Sequence, residues 1–362
     1  MSRCFHSIAL VLSFSASTLF AVEPQYADEG ISIPAASADE AILESFDLDK
    51  AVEYLEQGTT AWQNKRKCVA CHTNGAYMQM RPAMSAILGK PDPAHREFFV
   101  SEVTKFQKAP KTALLQGIKP TQIAYMAHGM AEWDKHVTGS LTDETRSALD
   151  LMLSVQSDDG SWGNINCWPP LESSTYHGAT VAALAIATAP GFQDNLSEAQ
   201  AVQVARLQKY LQVQEAPHDY GRLLLLWAST RMEGLIDDEK KQDIITMILN
   251  HQNDDGGWAM RNFATPDTWG GGSRAEKLKA EKNLMNPASD GHQTGLAVMV
   301  LRDAGVPASH PQIQKAIHWI KANQRTSGRW WTRSLNKDTR HFITYSGTFY
   351  SLMALHKCDA LK

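Results

Sequence analysis

A loop that recurs three times constrains this chain more than any other feature. "VQSDDGSWG" (Val155 to Gly163), "HQNDDGGWA" (His251 to Ala259) and "NQRTSGRWW" (Asn323 to Trp331) each run from Gln through a short polar turn to Gly and Trp. Each follows a helical stretch and precedes a second helix rich in small residues: "ATVAALAIATAPG", "QTGLAVMVLRDAG" and "GTFYSLMALHKCD". Repetition of this kind means helix pairs in series, each needing its neighbours to bury its apolar face. Weaker copies occupy the rest of the chain. "AQAVQVARLQKYLQVQ" with "HDYGRLLLLWASTRMEG" is one, and "HREFFVSEVTKFQ" with "TQIAYMAHGMAEW" is another. The first pair, "LDKAVEYLEQGTTAWQNKRKCVACHTNGAY" with "RPAMSAILG", keeps Leu55, Gln57 and Trp62 where its loop should begin. Six pairs are therefore expected, and the length and 43% apolar content suffice to bury a core of that size.

The Gln-to-Trp loops at Gln156, Gly160, Trp162, Gln252, Gly256, Trp258, Gln324, Gly328 and Trp330 resemble the repeats of squalene–hopene cyclases and protein prenyltransferase β-subunits. The resemblance covers residues 141 to 358 well and the remainder weakly. It implies an all-α fold, an α/α toroid with inner and outer helices around a central cavity. It does not bring the chemistry of either family. No Asp-x-Asp-Asp run precedes an inner helix, "FDLDK" lies on an outer one, and Cys167 in "NINCW" lacks the Asp that would make a zinc-binding Asp-x-Cys pair. Asp158, Asp159, Asp254 and Asp255 belong to the turns, where Gln bonds a neighbouring loop, Asp caps the turn, Gly takes positive φ and Trp stacks on the adjoining helix.

One connection is different. In the first pair the Gln–Trp loop gives way to "KCVACH", a Cys-x-x-Cys-His motif of Cys68, Cys71 and His72. Its spacing suits a covalent haem c, with two thiols for the porphyrin vinyl groups and His72 as proximal iron ligand. A redox-active Cys-x-x-Cys and half of a zinc site are the alternatives. No second ligand pair follows at close spacing, and no strand-then-helix pattern of a thiol-exchange domain is present. If all such connections face one mouth, the haem sits at that mouth.

The N-terminus favours haem through its compartment. An apolar run from Ile8 to Phe20 after Arg3, ending at the small residue Ala21, reads as a secretory leader over 1–21. An N-terminal extension over 22–45 follows, then the repeat domain over 46–358 with its haem-binding segment at 62–90, and a tail over 359–362. The expected protein is periplasmic or otherwise exported, with no membrane span. Its formal charge of −4 speaks against a nucleic-acid partner. Cys167 and Cys358 are expected on opposite faces of the ring, and hence unpaired.

Residues at the inner-helix entrances are candidates to meet the haem: Tyr176 and His177, His218 with Asp219 and Tyr220, His292 with Gln293, Tyr345, and Tyr125 within another helix. Each could equally cap a helix or satisfy a loop carbonyl. His177, Tyr176 and His292 are the catalytic candidates. For the second face of the iron, Met126, His128, Met130 and His177 are preferred, because Met78, Met80 and Met84 follow His72 too closely to pass the haem edge. The span from Trp258 to Thr294 is 36 residues, against 18 from Trp162 to Thr180, and the excess carries Arg274, Lys277, Lys279 and Lys282. That insertion is either a solvated arm or a docking surface for an acidic redox partner. Two functions stand: an electron-transfer cytochrome, or a haem-dependent peroxidase or oxygenase acting on an apolar substrate, an isoprenoid by family analogy alone.

Overall fold

A computed structural model describes residues 23–163, 169–171, 174–270 and 273–361. The leader and Cys167 lie outside the described residues. The fold is mostly helical. Twelve helices carry it: α1 (Leu48–Arg66), α2 (Asn74–Met80), α3 (Pro93–Gln107), α4 (Lys119–Trp133), α5 (Asp143–Ser154), α6 (Thr175–Thr188), α7 (Glu198–Val213), α8 (Asp219–Ser229), α9 (Asp238–Asn250), α10 (Gly291–Asp303), α11 (Pro311–Ala322) and α12 (Ile343–Lys357). Short helical turns join some of them.

Most of these helices start at a side chain that accepts an orphan backbone N–H. Asp47, Asp92, Thr142, Ser174, Asp237 and Asp290 do so for α1, α3, α5, α6, α9 and α10. Ser197 adds a full capping box with Gln200 on α7. Composition then separates two classes. The odd-numbered helices present one apolar face, as in α11, where Ile313, Ala316, Trp319 and Ile320 are the buried positions. The even-numbered ones are buried nearly all round: every residue from Gly291 to Leu301 of α10, and from Ile343 to Leu355 of α12, is buried. A helix apolar on all sides belongs in the interior.

The even-numbered helices pack in cyclic order, α2 on α4, α4 on α6, α6 on α8, α8 on α10, α10 on α12 and α12 back on α2. The odd-numbered helices pack against this set: α5 on α4 and α6, α7 on α6, α9 on α8, and α11 on α10 and α12.

The recurring loops stitch this order together. Trp162, Trp258 and Trp330 are fully buried, and each indole N–H donates to a carbonyl ten residues earlier, on Met152, Ile248 and Ile320. The indole thus anchors the loop to its own preceding helix, not to the adjoining one. Each Gln spans further than the neighbouring loop. Gln156 donates to Gly160 and to Gln203 of α7, and Gln252 to Gly256 and Gln312 of α11. Gln324 donates to Gly328 and to Asp47, at the start of α1. The last loop therefore holds the first helix.

An N-terminal arm crosses that junction. β1 (Tyr26–Asp28) and β2 (Ile31–Ile33) form an antiparallel hairpin against α1. Arg329, buried behind it, pairs with Glu40 and donates to Gln25 and to the carbonyls of Pro34 and Ala35.

Candidate functional site

The Cys-x-x-Cys-His segment forms a wall of a 1510 Å³ cavity at the end of the molecule where the loops lie. Ordinary small-molecule pockets run to about 300–1,000 Å³. Cys68, Cys71, His72 and Trp62 come from the first pair, Ile118 and Gln122 from the second, Pro169 to Leu171 from the approach to α6, and Trp331, Arg333, His341, Phe342 and Ile343 from the approach to α12. Residues Pro34 to Asp39 of the arm complete the rim.

The segment itself is held by hydrogen bonds to its backbone. The Trp62 indole and the Asn74 amide both donate to the Cys68 carbonyl, at 3.1 Å each. Asn74 accepts from the Ala70 N–H at 2.7 Å, and Gln122 donates to the Val69 carbonyl at 2.7 Å. Neither Cys68 nor Cys71 is in a disulfide. Burial raises the Cys68 thiol pKa, so the thiol form is favoured.

His72 is clamped on two sides. Phe342 stacks on it with centroids 5.1 Å apart and planes 12° apart, and Trp62 meets it edge-on at 4.9 Å. Desolvation pushes its imidazole down to about 4, which leaves it neutral near pH 7, the form a metal requires. Its Nδ1 lies 2.8 Å from the Thr73 hydroxyl.

The other proposed site residues divide into three groups. Tyr125, His177, Tyr220 and His292 come together as a buried chain of rings. The Tyr125 hydroxyl is 2.8 Å from His177 Nε2 and donates to the Leu171 carbonyl. His177 stacks on Tyr220, whose hydroxyl is 3.0 Å from His292 Nε2. His292 Nδ1 in turn meets Ser346. Burial drives His177 and His292 each down to about 3. Neither lines the cavity; their partners Tyr125 and Ser346 donate to the carbonyls of Leu171 and Ile343, which do. Tyr176 faces Tyr210 instead, and His218 caps α8 through the Gly221 N–H, with Trp269 against its ring. Asp219 pairs with His251 and Arg222, Gln293 is fully buried, and Tyr345 donates to the Leu55 carbonyl.

Met126, His128 and Met130 are fully buried in α4, and none borders the cavity. His128 instead joins a fully buried Glu132 with His136 and Arg231. Of the four cations in the long insertion, three are engaged internally. Arg274 donates to the Trp269 carbonyl, Lys277 pairs with Asp338, and Lys279 pairs with Asp267 and Glu276. Lys282 is exposed. The insertion is no solvated arm, since Trp269, Ala275 and Leu278 are each 2% exposed.

Sequence reasoning missed His341. It borders the cavity, at φ 32°, beside Arg340 at φ 62°, two successive left-handed non-glycine residues. Its Nδ1 accepts the Ser334 N–H at 3.1 Å, so in the neutral ring the proton sits on Nε2. Burial pushes its pKa down to about 4. His341 therefore offers an N–H donor and not a metal ligand. Its place at the entrance to an inner helix, just ahead of α12 as His177 and His292 open α6 and α10, was the available signal.

Neither a protein-family model nor a curated protein matches the chain. Among solved structures it is similar to an arginine-to-alanine variant of the type II terpene cyclase MstE from Scytonema, in complex with the substrate geranylgeranyl dihydroxybenzoate. The two share 11% identity over 87% of this chain and 97% of that one, with a TM-score of 0.48.

Proposed function

We propose that the six helix pairs make an α/α toroid that carries one covalent haem c at its mouth, in an exported protein whose task is electron transfer. The observation that carries this reading is the coincidence of the Cys-x-x-Cys-His segment with the wall of the large cavity. The residues fit the group. Two thiols outside any disulfide stand three positions apart, a neutral imidazole follows, and the backbone between them is pinned by Trp62, Asn74 and Gln122. Ile118, Pro169, Leu171 and Ile343 add apolar lining, as a porphyrin face needs, while Arg333 and Arg340, which line the cavity too, are paired with carboxylates of the chain.

Haem c, when bound, supplies one-electron exchange between ferric and ferrous iron. Cys68 and Cys71 would fix its position, His72 would hold the iron through Nε2, and the aromatic clamp of Trp62 and Phe342 would fix the imidazole plane. A redox partner would approach at this mouth, with Lys282 and Lys279 as exposed cations of the insertion.

A second reading, a haem-dependent oxidoreductase, draws on a specific observation. Among the described residues no Met borders the cavity, and His341 presents a proton donor there. A group of that kind suits an exchangeable ligand such as peroxide or O₂. Expression with a haem-attachment system tests both. Chromophore retained through acid–acetone extraction, and lost in the double variant Cys68→Ala, Cys71→Ala, is expected; haem content unchanged in that variant would overturn the proposal. A low-spin six-coordinate spectrum would select the carrier and a high-spin one the enzyme.

A further inference from the structure

We propose that Thr73 and Tyr26 are positioning residues that set the tautomer and basicity of His72, through a relay reaching from the N-terminal arm into the haem site. The inference rests on the haem reading above. The geometry is a continuous string: His72 Nδ1 to Thr73 Oγ1 is 2.8 Å, and Thr73 Oγ1 to the Tyr26 hydroxyl is 3.0 Å. Both relay side chains are buried, Thr73 at 0% and Tyr26 at 3% exposure.

A neutral imidazole has one proton, and the nitrogen that lacks it is the one able to bind metal. The string can run in two directions. If Thr73 donates to Nδ1, the proton sits on Nε2 and His72 cannot ligate iron. If Nδ1 donates to Thr73, Nε2 is bare, and the Thr73 hydroxyl is left to donate onward to Tyr26. Only the second direction agrees with a proximal role. In it, Tyr26 is the terminal acceptor that draws the chain of hydrogen bonds away from the ring and makes the imidazole a stronger donor.

Nothing about Tyr26 belongs to the repeats. It stands on β1, and its ring is enclosed by Tyr54, Trp62, Phe342 and Tyr345, at centroid distances of 6.4, 6.4, 5.6 and 5.7 Å. Two of these four rings, Trp62 and Phe342, also clamp His72. The arm is thus built into the support of the imidazole.

The experiment uses haem-loaded full-length chain in three variants, Thr73→Val, Thr73→Ser and Tyr26→Phe, with haem content measured first. Loss of the hydrogen bond from Nδ1 weakens donation to ferric iron, so Thr73→Val should shift the ferric–ferrous equilibrium toward ferrous by up to roughly fivefold, the worth of one net hydrogen bond. Thr73→Ser should restore the parent potential, and Tyr26→Phe should move it the same way by less. Full haem content with unchanged potential in both Thr73→Val and Tyr26→Phe would overturn the relay. A parent protein that takes up no covalent haem would instead overturn the haem reading. Should a variant fail to fold, nitrogen-15 spectra of the parent without haem decide: Nδ1 protonated and Nε2 bare supports the relay, and the opposite tautomer overturns it.

Discussion

At the scale of single residues, two histidines that line the same cavity differ in what their hydrogen-bond partners allow. His341 Nδ1 accepts from a backbone N–H, which can only donate, so its tautomer is set and its Nε2 carries a proton. His72 Nδ1 meets a hydroxyl, which can accept, so its Nε2 can be bare. His177 differs from both, with Nε2 on Tyr125 and no place in the cavity wall. His177→Ala should therefore leave the haem spectrum of the loaded protein as in the parent, and a changed spin state would show that it reaches the iron. His341→Ala should leave haem attachment intact while slowing the reaction with peroxide, measured by stopped flow. An unchanged rate would remove its role as a donor.

At the scale of elements, the loops act as fasteners between helix pairs, and their glycines show how tightly. Gly160, Gly256 and Gly328 all have left-handed φ, at 99°, 91° and 88°. A Cβ at each would meet a backbone carbonyl oxygen of the next outer helix, 2.4 Å away on Arg206, 2.9 Å on Lys315 and 2.2 Å on Lys50. Left-handed φ alone costs an alanine about 1–3 kcal/mol, and the backbone clash adds to it. Urea unfolding should rank Gly328→Ala and Gly160→Ala as more damaging than Gly256→Ala. Equal losses at all three would mean that φ and not helix approach sets the cost. The aspartates beside them stay in the turn: Asp159 accepts from Ser161, and Asp255 accepts from Gly257, Ser289 and Trp319.

At the scale of the whole molecule, inner-helix entrances hold several imidazoles wholly or partly buried, and this ties stability to pH. Burial lowers His72, His218 and His341 to about 4, and His177 and His292 to about 3, from an ordinary value of 6.5. Each folded pKa is below the unfolded one, so the unfolded chain binds more protons between them. Their contribution is complete above pH 6.5 and declines as pH falls toward 4. Asp290 has the opposite sign, because burial raises it to about 6 and its contribution fades as pH rises through that value. Five imidazoles outweigh one carboxyl. Glu132 adds to the loss at lower pH: burial alone would raise it, but Arg231 and the neighbouring imidazoles hold it well below the usual range. The Tm of haem-free protein should fall steadily from pH 7 to pH 4, and a flat profile would show that water reaches these rings. His292→Gln should make the slope shallower.

Local signals carried most of the architecture. The mostly helical class and five of the six inner helices follow from periodicity and from loops repeated at Gln156, Gln252 and Gln324, because burial on one side or on all sides leaves its mark on composition; in the first pair the inner helix is Asn74–Met80 and not the expected segment from Arg81. Cys68, Cys71 and His72 stand out for the same reason, since the haem attachment proposed for them needs short spacing along the chain. What only tertiary structure decided is what joins distant segments. Gln324 reaches Asp47 across 277 positions, and Tyr26 touches Thr73 from a hairpin outside the repeats. Phe342 covers His72 from the last pair. His341 and Ser334 share a hydrogen bond that only the folded loop creates. A sequence states which side chains are available; the direction of a hydrogen bond, and so which nitrogen keeps its proton, is set by the partner that folding brings within 3 Å.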